Sequence, residues 1–332
     1  MKRFRRLIFS SKILILNILK MGSGQSTPQQ NSSINPNNII PVGEIPVTPY
    51  SINSTTSKKY ALVIGINYTG KSFSLSGCIP DANNIKNLLN EWGFETTLMT
   101  DNTGGNLYPT RDNILTQITS HITRLASDDI LVIYYSGHGS RVTDQINGDE
   151  ISGLDSCIVP IDVSPVSSVG YIRDDSIRTE LVKATTGSNV FTVFDSCNSG
   201  SVCDLKYCYF DTSYRGSLEQ SITSLSNTDF ISRTNVITNN KYSDTNANII
   251  SLSGSRDDEL SLEFVNRNGV SGGALTYCIL WTLRTQTPNI SIATFLLNVR
   301  SKLKTLGFGQ NPSLMSGKTL NTDDLLNGFL KI

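Results

Sequence analysis

Three apolar runs constrain this chain more than any other feature: Tyr60–Ile66, Ile130–Tyr134 and Val190–Phe194. Each is a nearly continuous hydrophobic stretch rather than an alternation of apolar and polar residues, which is the pattern of a strand covered on both faces. Two of them run directly into short glycine-bearing segments, Tyr135-Ser136-Gly137-His138-Gly139 and Asp195-Ser196-Cys197-Asn198-Ser199-Gly200. On neighbouring parallel strands, His138 and Cys197 leave the sheet at one edge, where open α/β folds carry their chemistry. They form a candidate Cys–His nucleophile pair.

Helical spacing fills much of the chain between and after these runs. Asp81–Trp92 repeats Ala82, Ile85, Leu88, Leu89 and Trp92, with Asp81 as the expected N-cap. Arg111–Ala126 repeats Ile114, Ile118, Ile122 and Leu125. Phe94–Met99 and Ile249–Leu252 read as strands, and Asp174–Lys183, Gly273–Arg284 and Ile290–Leu306 as helices. Strand alternating with helix predicts an α/β fold on a mostly parallel central sheet covered on both faces. Residues 205–246 lose this rhythm to Ser, Thr, Asn and Asp and read as an exposed connector. The expected organisation is a basic and apolar start with a disordered Asn/Ser/Pro-rich leader at 1–57, a larger part at 58–204, the connector at 205–246 and a smaller part at 247–332.

A formal charge of +0 hides an imbalance: residues 1–20 carry six basic side chains and no acid, leaving 22 basic against 28 acidic residues elsewhere, a formal −6. Those Lys and Arg are scattered, so no nucleic-acid surface is expected. Six cysteines are too few and too irregular for a disulfide framework and read as reduced thiols. The run of Cys197, Cys203 and Cys208 lacks the histidine neighbour or CxxC pair of a zinc site. Leu7–Leu19 is too short and interrupted to span a bilayer. The start therefore reads equally as a signal peptide, a mitochondrial presequence or a segment upstream of true initiation at Met21. In the last case Met21-Gly22-Ser23-Gly24-Gln25-Ser26 matches the N-myristoylation pattern, giving weak membrane attachment at Gly22, and it also reads as an ordinary polar start.

A thiol attacks as thiolate, and an imidazole within reach can take and return its proton. Gly137, Gly139 and Gly200 let backbone approach a substrate closely, and the amides of Gly139 and Cys197 are the expected oxyanion donors. These segments stand in a longer series. It runs YALVIGIN at Tyr60–Asn67, LSGCIPDA at Leu75–Ala82, YSGHG at Tyr135–Gly139, Gly148–Asp162 with Asp155-Ser156-Cys157, IRDD at Ile172–Asp175, FDSCNSG at Phe194–Gly200, Gly254–Glu259 and GALTY at Gly273–Tyr277. In this order the blocks resemble the metacaspases, cysteine peptidases of the caspase clan, from about Lys58 to the carboxyl terminus.

The resemblance implies one domain, a caspase-like three-layer α/β/α sandwich, with His138 as general base and Cys197 as nucleophile. It implies peptide or protein substrates cleaved after Arg or Lys, with Cys78, Asp81, Ser136 and Asp195 forming the pocket. Two carboxylates around a guanidinium match both its charge and its fork of donors. Calcium is implied at Asp155, Asp174, Asp175 and Asp204, since gathered carboxylates repel unless a hard cation neutralises them. Asp144, Asp149 and Glu150 read as surface charges. A monomer in the cytoplasm is expected. The leader and short connector match the type I arrangement, and Lys206, Arg215, Arg233 and Lys241 are candidate self-cleavage positions. Asn198 departs from the His often found after the nucleophile and is expected to tune activity. The alternative is a catalytically silent caspase-like scaffold, against which the occupied catalytic, pocket and metal positions argue.

Overall fold

The computed structural model describes residues 56–143, 154–164, 170–197, 199, 202–211, 234–254, 262–265, 271–286, 290–320 and 326–330. The expectations for the leader and Gly22, and for Asp144, Asp149, Glu150, Asn198, Gly200, Arg215 and Arg233, lie outside the described residues.

In chain order the elements are β1 (Lys59–Gly65), α1 (Cys78–Glu91), β2 (Glu95–Thr100), α2 (Arg111–Thr123), β3 (Ile130–Ser136), β4 (Gly139–Thr143), β5 (Leu154–Ile158) and β6 (Ile172–Arg173). There follow α3 (Asp174–Leu181), β7 (Asn189–Asp195), β8 (Tyr207–Asp211), β9 (Thr234–Thr238), β10 (Asn248–Ser253), β11 (Glu263–Val265) and β12 (Ser271–Gly273). The chain ends with α4 (Ala274–Thr285), α5 (Ile292–Thr305), β13 (Ser313–Ser316) and α6 (Leu326–Leu330).

One eight-stranded sheet has the order β2-β1-β3-β7-β10-β13-β8-β9, with β2 to β10 parallel and the last three strands antiparallel. The continuous apolar runs form its centre, and every residue of β1, β3 and β7 is buried. Fully burying one Val, Leu, Ile or Phe contributes about 1.5–3 kcal/mol, so these three strands supply much of the driving force. Successive residues point to opposite faces. Ala61, Val63, Val132, Tyr134, Phe191 and Val193 join α1, α4 and α5 in one core. Leu62, Ile64, Leu131, Ile133, Tyr135 and Phe194 join α2, α3 and the small β4–β5–β6 sheet in the other. The result is the expected sandwich.

Two local expectations are corrected. Helix α1 begins at Cys78, ahead of Asp81, because Asn67 Oδ1 at the exit of β1 accepts from the N–H groups of Cys78 (2.9 Å) and Ile79 (3.1 Å). Pro80 sits in the first turn, where a missing N–H costs little. Asp81 is thereby a first-turn residue rather than the N-cap. Part of the connector is also strand: β8 pairs antiparallel with β13, and β9 with β8. Tyr207 and Tyr209 pack against the core there, using partners that arrive from far along the chain. Among the described residues no helix is long and apolar enough to cross a membrane.

Candidate active site

Register brings the two halves of the site together. Strand β3 pairs with β7 so that Ser136 stands opposite Asp195, and His138 and Cys197 each follow two residues later, at the same carboxyl edge. The turns touch, since a Cβ on Gly139 would lie 1.9 Å from the Cys197 carbonyl oxygen. Only glycine permits that approach. His138 and Cys197 are both buried, 6% and 8% exposed. His138 Nε2 lies 2.7 Å from the Phe73 carbonyl. A carbonyl only accepts, so Nε2 carries the proton, and in the neutral ring Nδ1 holds the lone pair. All six cysteines are buried and none is in a disulfide. Burial pushes the Cys157 and Cys278 thiols far up and Cys203 to about 12, which keeps these three protonated and unreactive near neutral pH.

The pocket residues collect on the α1 and α4 face of the same edge. Alternation along β3 and β7 sends Tyr134 and Ser136, and Val193 and Asp195, to this side. Gly65 ends β1, where a Cβ would lie 2.4 Å from the Cys78 carbonyl oxygen, so its bare backbone lets the head of α1 sit on the sheet. That seats Asp81 against the end of β12. Asp81 Oδ2 accepts from Gly273 N–H at 2.6 Å. Asp195 Oδ2 accepts from Thr276 N–H (3.0 Å) and Thr276 Oγ1–H (2.7 Å). A Cβ on Gly273 would stand 2.2 Å from Asp195 Oδ2 and 3.0 Å from Asp81 Oδ2, so the two carboxylates converge on one glycine. Both receive amides from the start of α4, whose dipole favours negative charge. Tyr134 donates to Thr276 Oγ1 at 2.6 Å. Its phenol is raised well above the ordinary range, by burial first and then by Asp81 and Asp195.

A second acidic group lies on β5 and α3. Asp155, Asp174 and Asp175 each bring a carboxylate oxygen within 4.8 Å of the others. Asp155 and Asp174 are both 1% exposed. Asp174 accepts from the N–H groups of Ser156 (2.5 Å) and Asp175 (3.0 Å), and Arg173 pairs with Asp155. Arg173 beside Asp155 and Arg178 near Asp175 face these acids, and an all-oxygen set of this kind suits a hard divalent cation such as calcium. Asp204 lies in the same electrostatic neighbourhood, acting with Asp175 on Arg178 and with Asp174 on Cys203. It is buried with φ of 43°, and its backbone carbonyl accepts from Arg178 at 2.5 Å.

The caspase-domain family model matches residues 58–322. The chain is 33% identical to Metacaspase-1 of Debaryomyces hansenii over 300 residues, 80% of this chain and 66% of that protein. It is 32% identical to Metacaspase-1 of Candida albicans, over 82% of this chain and 68% of that one. The chain belongs to the caspase-domain family, among its metacaspases. The aligned region thus spans about two thirds of each of these relatives. A solved Geobacter sulfurreducens protein shares the fold, with a TM-score of 0.55 at 22% identity, covering 81% of this chain and 97% of its own. As a metacaspase, the chain is a cysteine-type endopeptidase.

Several residues at this metacaspase's site had no role assigned from sequence: Asn67, Gly273 and Thr276, which lie inside the quoted blocks, and Tyr68, Phe73 and Gly272, which lie outside them. Asn67-Tyr68-Thr69-Gly70 carries a turn signal directly after a buried run, and Gly272-Gly273 precedes an apolar helix. Either pair could have drawn notice as a place where backbone comes close to something. Nothing in the spacing discloses that Phe73 meets His138 or that Thr276 meets Asp195. Of the described self-cleavage candidates, Lys206 lies directly before β8 with its ammonium 2.7 Å from Asp244, and Lys241 lies in an exposed turn.

Proposed function

We propose that this chain is a calcium-dependent endopeptidase that cleaves after Arg or Lys through His138 and Cys197. The observation that carries the reading is the convergence of Asp81 and Asp195 at the sheet edge where the His138 and Cys197 turns meet. A buried pair of carboxylates favours a long cationic side chain and repels an acidic one. His138 Nδ1 takes the Cys197 proton, and the thiolate sulfur bonds to the scissile carbonyl carbon. The amides of Gly139 and Cys197 face the oxyanion. Collapse of this adduct breaks the C–N bond as His138 returns the proton to the leaving amine, and water then cleaves the thioester and restores the thiol.

Asp155, Asp174 and Asp175, with Asp204 beside them, would hold calcium. When bound, the ion supplies neutralising charge that lets β5 and the head of α3 keep their acids together. Self-processing belongs to the same proposal, with Lys241 better presented than Lys206. The test is cleavage of fluorogenic peptides ending in Arg, Lys or Asp, with millimolar calcium and with chelator. Cleavage is expected after Arg and Lys alone, to require calcium, and to fall by roughly 10⁴-fold or more in Cys197→Ala. Equal turnover in Cys197→Ala would remove the assignment of the nucleophile, and full activity in chelator would remove the calcium requirement.

A further inference from the structure

Tyr68 follows β1 with φ of 53°, the left-handed region that a bulky residue enters only under constraint. Asp101, just past β2, supplies the constraint. Its Oδ1 accepts from Asn67 N–H at 2.9 Å and its Oδ2 from Thr69 N–H at 2.7 Å, the amides on either side of Tyr68. The tyrosine side chain is fully buried. Its hydroxyl donates to the Val159 carbonyl at 2.6 Å and accepts from the His138 N–H at 3.0 Å. Tyr135 closes the network: its hydroxyl lies 3.1 Å from that of Tyr68 and donates to the His138 carbonyl at 2.8 Å. Each phenol spends its one proton on a carbonyl, and the His138 backbone is held at both its N–H and its C=O. Burial pushes both phenols well above their ordinary range, so those protons stay in place at any working pH. The Tyr68 ring also lies 4.8 Å from the imidazole, tilted by 36°.

We propose that Tyr68 is a positioning residue for His138, an inference that rests on the Cys–His reading. Its hydroxyl fixes where the His138 backbone stands. Its ring favours the imidazolium that forms when His138 takes the thiol proton. Phe73 then holds Nε2 from the other side. Asp101, by setting the Tyr68 backbone, links the end of β2 to the general base.

The chain has two histidines, so imidazole ¹⁵N spectra of the full chain resolve His138, with His121 as an internal reference. In a Cys197→Ala background, Tyr68→Phe is expected to shift the His138 Nε2–H signal and speed its exchange while His121 stays put. Tyr68→Leu, which loses the ring, is expected to lower the His138 titration midpoint by about 0.5 in pH. With Cys197 intact, Tyr68→Phe is expected to lose about tenfold in kcat per titrated thiol with KM within about twofold. Tyr135→Phe removes one of the two donors to the His138 carbonyl, leaving the Val159 N–H at 3.1 Å, and should move the same signal by less than Tyr68→Phe does. The proposal is overturned by a Tyr68→Phe chain whose His138 spectrum and kcat per titrated thiol match the unmodified protein. It is equally overturned by a loss carried only by fewer titratable sites, with the spectrum unchanged. Turnover surviving His138→Ala would instead overturn the Cys–His reading, whatever the spectra show.

Discussion

Asp195 accepts an amide and a hydroxyl at one oxygen from Thr276, and Asp81 accepts an amide from Gly273. Such bonds fix the two carboxylate groups in place at the head of α4. The acids that would read a substrate cation are thus oriented before substrate arrives. Asp195→Asn removes the charge while its amide oxygen can still accept both bonds from Thr276. We expect kcat/KM for Arg peptides to fall about 10²-fold, with unfolding temperature much less affected. Cleavage of the Arg peptide within twofold of the unmodified enzyme would show that Asp195 does not read the cation. Neither acid announces this from its spacing. Asp81 looked like a helix cap, and a cap is local, whereas the Gly273 amide that it meets lies far along the chain.

Gly65 shows how a helix is placed by what a strand lacks. A Cβ there would stand 2.4 Å from the Cys78 carbonyl and 2.6 Å from Ala82 Cβ. Both are rigid parts of α1 and the core, so Gly65→Ala should destabilise by about 1–3 kcal/mol and lower the thermal midpoint. Because Asp81 rides on α1, KM for Arg peptides should rise as well. A midpoint within about one degree of the unmodified protein would mean α1 can retreat without cost. A second tie, between α2 and β2, is sensitive to pH. His121 is buried, with Nδ1 2.8 Å from the Gln117 carbonyl and Nε2 3.2 Å from Thr97 Oγ1. Burial pushes its imidazole below the usual 6.5, and Arg124 adds to this against the pull of Gln117 and Glu95. The unfolded chain therefore binds this proton more readily than the folded one. The contribution is full above about pH 6.5 and is lost as pH falls through the lower folded value. Denaturant unfolding at pH 7.5 and 5.5 should show a smaller pH difference in His121→Gln, and an equal difference would clear His121 of this role. The helices and the three central strands were legible because their periodicity is local. The start of α1 was not, since its cap is Asn67, eleven residues upstream.

The larger and smaller parts share one sheet. Strand β10 lies between β7 and β13, and β13 pairs in turn with β8 from the other side of residues 212–233. Arg284 on α4 also forks onto Glu91 of α1, at 2.5 and 2.8 Å. A cut within 212–233 is therefore expected to leave the two parts joined through the shared sheet. With a specific protease site placed in that segment, the two fragments should co-elute under native conditions and separate only in denaturant. Fragments that part in native buffer would mean the shared sheet does not hold them. Such a cut leaves His138 and Cys197 on one fragment and Gly273 and Thr276 on the other, so the pocket needs both.

The residues alone dictated the buried central strands, the alternating helices, and the presence of one histidine and one cysteine just beyond two of those strands. These follow from hydrophobic periodicity, which each segment expresses without help from the rest. The folded chain was needed for everything that depends on partners distant in sequence. It set the register that places Ser136 opposite Asp195, the glycines that admit α1 and the two carboxylates, and the tyrosine ring around His138. It also turned part of a polar connector into β8 and β9 and brought Asp155, Asp174 and Asp175 together. Such contacts have no signature in local spacing, because each is decided by which surfaces meet once the sheet has formed.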